Sequence, residues 1–168
     1  GTSDYCHHII WKTLIGCCLL YDVVENTGNR IRGGKLDITK HYEHRNPGDM
    51  RSGNLHTEGS ITVTGDVERN FYVRATEDVE IRGGIIGGSA YACGKIIIGR
   101  GAVAGDIGQI IAGGDVFLGH GQEAIIKSAG DLFIERDLVN SDVHARRVII
   151  KNSVVGGLVM AESLIEVK

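Results

Sequence analysis

Aromatic residues make up only 5% of this 168-residue chain, and proline occurs once, at Pro47. A core with so few rings has to be built from Val, Ile, Leu and Ala. The absent Pro-Gly-Ser bias excludes a low-complexity linker, and 42% apolar content excludes a disordered tail. Strong charge of either sign is missing too: a formal net charge of −3 supplies no pull toward nucleic acid or an anionic membrane. No apolar run reaches the roughly 18 residues of a spanning helix. The nearest, Ile9–Leu20, is interrupted by Lys12 and closed by Tyr21-Asp22, and lacks the basic flank and cleavage site of a secretory signal. The chain therefore reads as soluble, with no membrane insertion. Cys6, Cys17, Cys18 and Cys93 form no recognisable disulfide framework, which fits reduced thiols in a cytosolic protein.

Glycine is what the chain has in excess: 25 residues, about 15% against a usual value of about 7%. Much glycine, many β-branched residues and little proline point to short strands joined by tight turns. From Leu55 onward one pattern recurs: an apolar residue, any residue, a small residue, a short spacer, then alternating aliphatics. The small anchors are Thr57, Ala75, Ala92, Ala112, Ser128, Ala145 and Ala161, so the steps are 18, 17, 20, 16, 17 and 16 residues. After Ala145 the register slips by one residue before Val148-Ile149-Ile150. Gly59, Gly94, Gly114 and Gly130 follow their anchors by two, as expected of corners that need positive φ or leave no room for a Cβ.

Period-two alternation repeated at this interval predicts an all-β, single-stranded parallel β-helix of about seven coils, each coil pairing with those above and below. At about 4.8 Å per rung, seven coils make a rod of roughly 34 Å. A left-handed hexapeptide helix would keep a steady period of 18; the wandering step favours the right-handed form. Residues 55–168 are the predicted β-helix and residues 1–54 a small N-terminal cap. Within that cap Tyr5–Val24 reads as a short strand or helix pair, Arg30–Thr39 as a strand, and polar His41–Asn54 as a loop. The last coil, Leu164–Lys168, has no polar cap, so it is expected to continue or to dock on another subunit.

Catalytic signatures are absent: no Gly-x-Ser-x-Gly, no His-Glu-x-x-His, no Walker lysine, no dinucleotide fingerprint. The Gly-Gly pairs sit between strands and read as corners instead of phosphate cradles. The ladder Asp78, Asp115, Asp131 is the best catalytic candidate, since stacked carboxylates about 5 Å apart match a retaining glycosidase. Corner aspartates that bond backbone amides are the commoner outcome. Cys6-His7-His8 with Cys17-Cys18, or His41-x-x-His44, fit no zinc-knuckle spacing. His56, His120 and His144 read as rung or turn residues, and Cys93 as a small structural side chain. No catalytic, cofactor or metal residue is assigned.

The stretch Asp49–Val67 (Asp-Met-Arg-Ser-Gly-Asn-Leu-His-Thr-Glu-Gly-Ser-Ile-Thr-Val-Thr-Gly-Asp-Val) resembles the entry to the β-helix of the flagellar assembly protein A family. Val73–Ile81, Ile111–Val116, Ser128–Ile134 and Asn140–Ala145 resemble its coils, and Ala145-Arg-Arg-Val148 departs from its usual Ala-Gly-Gly. The resemblance implies a bacterial cytoplasmic scaffold associated with flagellar assembly, without enzymatic activity or cofactor, that binds protein partners. Expected contacts lie on corner residues Arg69, Phe71, Tyr72, Arg100, His120, Gln122 and Glu123, because loops on a rigid core carry recognition. Two alternatives stay open: a bactofilin-like polymer stacking as a homo-oligomer through the C-terminal coil edge, and a carbohydrate-active enzyme using the aspartate ladder.

Overall fold

The structure, a computed structural model, describes residues 41–44, 54–105 and 108–168. Sequence expectations for residues 1–40 and 45–53, including the cap and the Cys6–Cys18 region, lie outside these residues. Every regular element described is a β-strand, and every pairing between strands is parallel, as the repeat requires.

Each coil has three strands, one on each of three faces. The first face stacks β2 (Leu55–Thr57), β5 (Tyr72–Ala75), β8 (Ser89–Ala92), β11 (Gln109–Ala112) and β14 (Ile125–Ser128). The second stacks β1 (His41–His44), β3 (Ser60–Val63), β6 (Val79–Ile81), β9 (Ile96–Ile98), β12 (Val116–Leu118) and β15 (Asp131–Ile134). The third, shorter face stacks β4 (Val67–Glu68), β7 (Gly84–Ile86), β10 (Gly101–Val103) and β13 (Gly121–Gln122). The last two coils are the long strands β16 (Leu138–Ile150) and β17 (Val154–Val167), which run round all three faces.

One reading of the sequence is corrected here. His41–His44, taken as the start of a loop, is a strand whose residues pair with Ser60–Val63. Its polar His-Tyr-Glu-His shows no aliphatic alternation. The first coil nonetheless presents an edge of backbone donors and acceptors, and any extended segment satisfies it whatever its side chains.

Register pairing stacks Thr57, Ala75, Ala92, Ala112 and Ser128 in one row, with Ala145 facing Ala161 further up. Ala75, Ala112 and Ala145 are buried. The row is small because the corner that follows it turns tightly inside the coil. The columns beside it are aliphatic: Ile61, Val79, Ile96, Val116, Leu132 and Val148 stack in sequence and are all buried. Burying each such side chain is worth roughly 1.5–3 kcal/mol, so one continuous column replaces a globular core.

The corners are pinned from coil to coil. Asp66 Oδ1 accepts the Gly84 N–H (2.7 Å), Asp78 Oδ1 the Lys95 N–H (2.9 Å), and Asp115 Oδ1 the Asp131 N–H (2.8 Å). Glycine is needed beside these pins: a Cβ at Gly94 would stand 2.2 Å from Asp78 Oδ1, and one at Gly130 2.2 Å from Asp115 Oδ1. Lack of room, not positive φ, explains these two glycines. Left-handed backbone instead gathers at the corner between the third and first faces. There Asn70 (φ 68°), Gly87 (φ 74°), Gly105 (φ 59°), Glu123 (φ 49°), Asn140 (φ 45°) and Gly156 (φ 67°) serve successive coils.

Candidate functional site

The corner between Ser128 and Asp131 shows how the sequence departs from its own repeat. Ala129 and Gly130 make that corner, whereas in the next coil Arg146 alone separates Ala145 from Arg147, and the register shifts there. This is the one-residue slip expected from the sequence. The shortened corner brings two guanidinium groups onto one carboxylate. Arg146 Nε donates to Asp131 Oδ1 at 3.0 Å, and Arg147 Nε and Nη2 donate to Asp131 Oδ2, the former at 3.0 Å. The Asp131 side chain is only 5% exposed, while the arginines are half-exposed. The hydrogen bonds from Arg147 hold the Asp131 carboxyl below its ordinary value of 3.8; burial opposes this, and Arg146 adds to it.

That geometry decides the carboxylate ladder. A retaining glycosidase needs one carboxyl that carries a proton near neutrality and one free nucleophile facing it. Asp131 is held ionised by two arginines, and Asp115 Oδ1 is engaged by the Asp131 backbone amide. Asp78 is likewise bonded to Lys95, through the backbone and by an ion pair at 3.8 Å. Stacking is as expected from the sequence; the chemistry of a cleaving pair is not built.

The seven expected contact residues fall on two different corners. Arg100 and His120 come together where the second face meets the third. The Arg100 carbonyl accepts from Arg136 Nη2 at 3.2 Å and lies 3.0 Å from His120 Nδ1, while the Arg100 guanidinium pairs with Asp66 at 3.6 Å. Arg69, Phe71 and Tyr72 lie at the opposite end of the third face. Phe71 packs against the core, and Tyr72 meets Tyr91 edge-on with ring centroids 6.3 Å apart. Gln122 and Glu123 share that second corner three coils further along, both exposed. His56 and His144 occupy rung positions on the first face, and His120 a turn. Among the described residues no group of three or more His, Cys, Asp or Glu is placed to hold a metal ion, and no helix is long and apolar enough to cross a membrane.

Two features lie outside the repeat pattern. The third face carries no alternating aliphatic signature, because its strands are two or three residues long and rich in glycine. The outward column of the second face is apolar in four consecutive coils: Ile97, Phe117, Phe133 and Ile149. Phe117 and Phe133 stack nearly parallel, 4.8 Å between centroids and 6° between planes. Beside them lies a cleft of about 410 Å³ floored by Gly99 and Gly119 and bounded by Glu135 and Lys151.

These coils define a parallel β-solenoid whose polar side chains mostly tie one rung to the next. Residues 40–168 match the family model described as the Flagellar Assembly Protein A beta solenoid domain, and the chain belongs to that FapA family. No curated protein and no solved structure matches the chain.

Proposed function

We propose that this chain is a non-enzymatic scaffold of the bacterial cytoplasm that serves flagellar assembly by binding protein partners through the corners and faces of its rod. The observation that carries this reading is the use made of its reactive groups. Asp66, Asp78, Asp115 and Asp131 all hold backbone or arginine partners within the fold. Arg69, Arg100, Gln122 and Glu123 are exposed at the corners, with Tyr72 and His120 half-buried beside them, on a framework stiff enough to fix their spacing. Membership of a family named for flagellar assembly supplies the cellular setting.

The test is a pull-down from bacterial cytoplasm with the purified chain and two corner variants, Arg69→Glu and Arg100→Glu. A protein partner retained by the parent and lost with at least one variant supports the reading. Turnover of a polysaccharide by the purified chain, or no partner at all, overturns it.

A further inference from the structure

Three columns run side by side along the rod where the second face turns toward the third. The outward apolar column holds Ile97, Phe117 and Phe133, and the cleft beside it is floored by Gly99 and Gly119. Beyond the glycines stand Arg100, His120 and Arg136, one on each of three successive coils. Cleft and cations meet at a single atom. The Arg100 carbonyl oxygen lies where a Cβ on Gly119 would fall, and the same oxygen accepts from Arg136 Nη2 at 3.2 Å. His120 Nδ1 is 3.0 Å from that oxygen and 3.2 Å from Nη2. Arg136 therefore lies back over two coils and sets its guanidinium beside the glycine floor.

Charge at this corner is unevenly matched. Asp66 accepts from the Gly84 N–H and pairs with Arg100, Glu80 pairs with Arg82, and Glu135 pairs with Lys151 at 3.8 Å. Asp137 turns to Asn152 and Ser153 of the following coil, while Arg136 reaches the opposite way along the axis. Among the described residues Arg136 pairs with no carboxylate, and its contacts with the Arg100 carbonyl and His120 both leave from Nη2. A guanidinium carries five N–H donors in a fork that matches a carboxylate, so Nε and Nη1 remain for one.

We propose, on the footing of the scaffold reading, that the protein partner presents an acidic segment here: one apolar side chain sits over Gly99 and Gly119, and a neighbouring carboxylate meets Arg136. The cleft, of about 410 Å³, has room for that side chain, and Ile97, Phe117 and Phe133 give it an apolar wall. Phe117 is still 37% accessible in the isolated chain. Pockets for small molecules enclose most of their ligand. A wall this open is covered better by a side chain that arrives with its own backbone. Charge sets the sign of the segment, because a basic one would face Arg136 with nothing between them.

Amide spectra of the nitrogen-labelled chain read the binding directly. The probe is a short acetylated peptide of glycine and serine around one leucine followed by one aspartate. Peaks of Gly99 and Gly119 are expected to shift, with a dissociation constant on the order of 1 mM for so small a ligand. Asparagine in place of the peptide's aspartate should weaken binding about three- to tenfold, as loss of an exposed charged pair does. Arg136→Gln is expected to erase that preference, so that both peptides bind alike; an Arg136 that merely supports the corner would leave the preference intact. Phe117→Ser should weaken both peptides, and Arg69→Gln, at the other corner, neither.

Absence of any shift at Gly99 or Gly119 up to about 10 mM peptide, ten times the expected constant, overturns the proposal. So does an aspartate preference that survives in Arg136→Gln. Octanoate binding in the cleft more tightly than the peptide also overturns it, by assigning the cleft to a small amphipathic carboxylate. Each of these failures leaves the scaffold reading standing wherever the pull-down still retains a partner through the Arg69 corner.

Discussion

Asp115 Oδ1 accepts the backbone N–H of Asp131 at 2.8 Å, so one aspartate fixes the rung that carries the next. Removing that acceptor leaves a part-buried amide without its partner, which costs about 1–2 kcal/mol. Asp115→Ala is expected to lower the urea midpoint accordingly, and Asp115→Asn, which keeps an oxygen in place, by less than half as much.

Acid should weaken the fold through Asp131. Its folded carboxyl titrates below the ordinary 3.8, so the ionised form stabilises the folded chain. That contribution is complete above the ordinary carboxylate range and fades as pH falls through the lower folded value. With half-exposed arginines as partners, Asp131→Asn is expected to cost about 1–3 kcal/mol at neutral pH. Thermal melts of both proteins from about pH 7 downward should converge as the acid limit is approached.

Gly130→Ala forces a methyl group to within 2.2 Å of Asp115 Oδ1 and 2.9 Å of the Asp115 backbone nitrogen. An expected loss of about 1–3 kcal/mol follows from such overpacking. Combining it with Asp115→Ala removes the nearest obstacle and leaves the backbone contacts, so the double variant should lose less than the sum of the singles. Chemical denaturation of the four proteins closes the cycle.

Ala112 is 0% exposed and stacks between Ala92 and Ser128 in the small inner row. Ala112→Leu adds three carbons where nothing can yield and should cost about 3 kcal/mol or more. Ala161→Leu, at the half-buried end of the row, should cost under about 1 kcal/mol, as read from paired melting curves.

Glu123 is the one residue at the left-handed corner that is neither glycine nor asparagine. Left-handed backbone costs such a residue roughly 1–2 kcal/mol, which glycine avoids at some entropic expense. Glu123→Gly is therefore expected to raise stability by up to about 1 kcal/mol, seen as a small rise in melting temperature.

What was legible in the sequence follows from where a solenoid keeps its signal. Inward residues of the first two faces must match the coils above and below, so Ala75, Ala92 and Ala112 announce themselves by recurrence. The third face hides because Val67, Ile85, Ala102 and Gly121 share one column without sharing a size. The strand His41–His44 hides because backbone pairing alone recruits it. The Ala-Arg-Arg departure was visible as a slip in register, but not its consequence, since nothing in a linear pattern says that Asp131, fifteen residues before Arg146, would be the group those arginines enclose. The apolar column through Phe117 and Phe133 was likewise spread over four coils, each with a single outward aliphatic or aromatic residue that looked unremarkable alone.

Because every rung touches only the rungs beside it, at offsets such as Ile61 to Val79 and Val79 to Ile96, length in this molecule comes in whole units. Excising Val79–Lys95 would set Ile96 directly on Ile61, one buried isoleucine on another, and shorten the rod by about 4.8 Å. A duplication of the same seventeen residues would lengthen it by as much. Such a molecule can act as a ruler whose graduations are added or deleted by simple genetic slippage, with the distance between its two ends adjusted and its cross-section untouched.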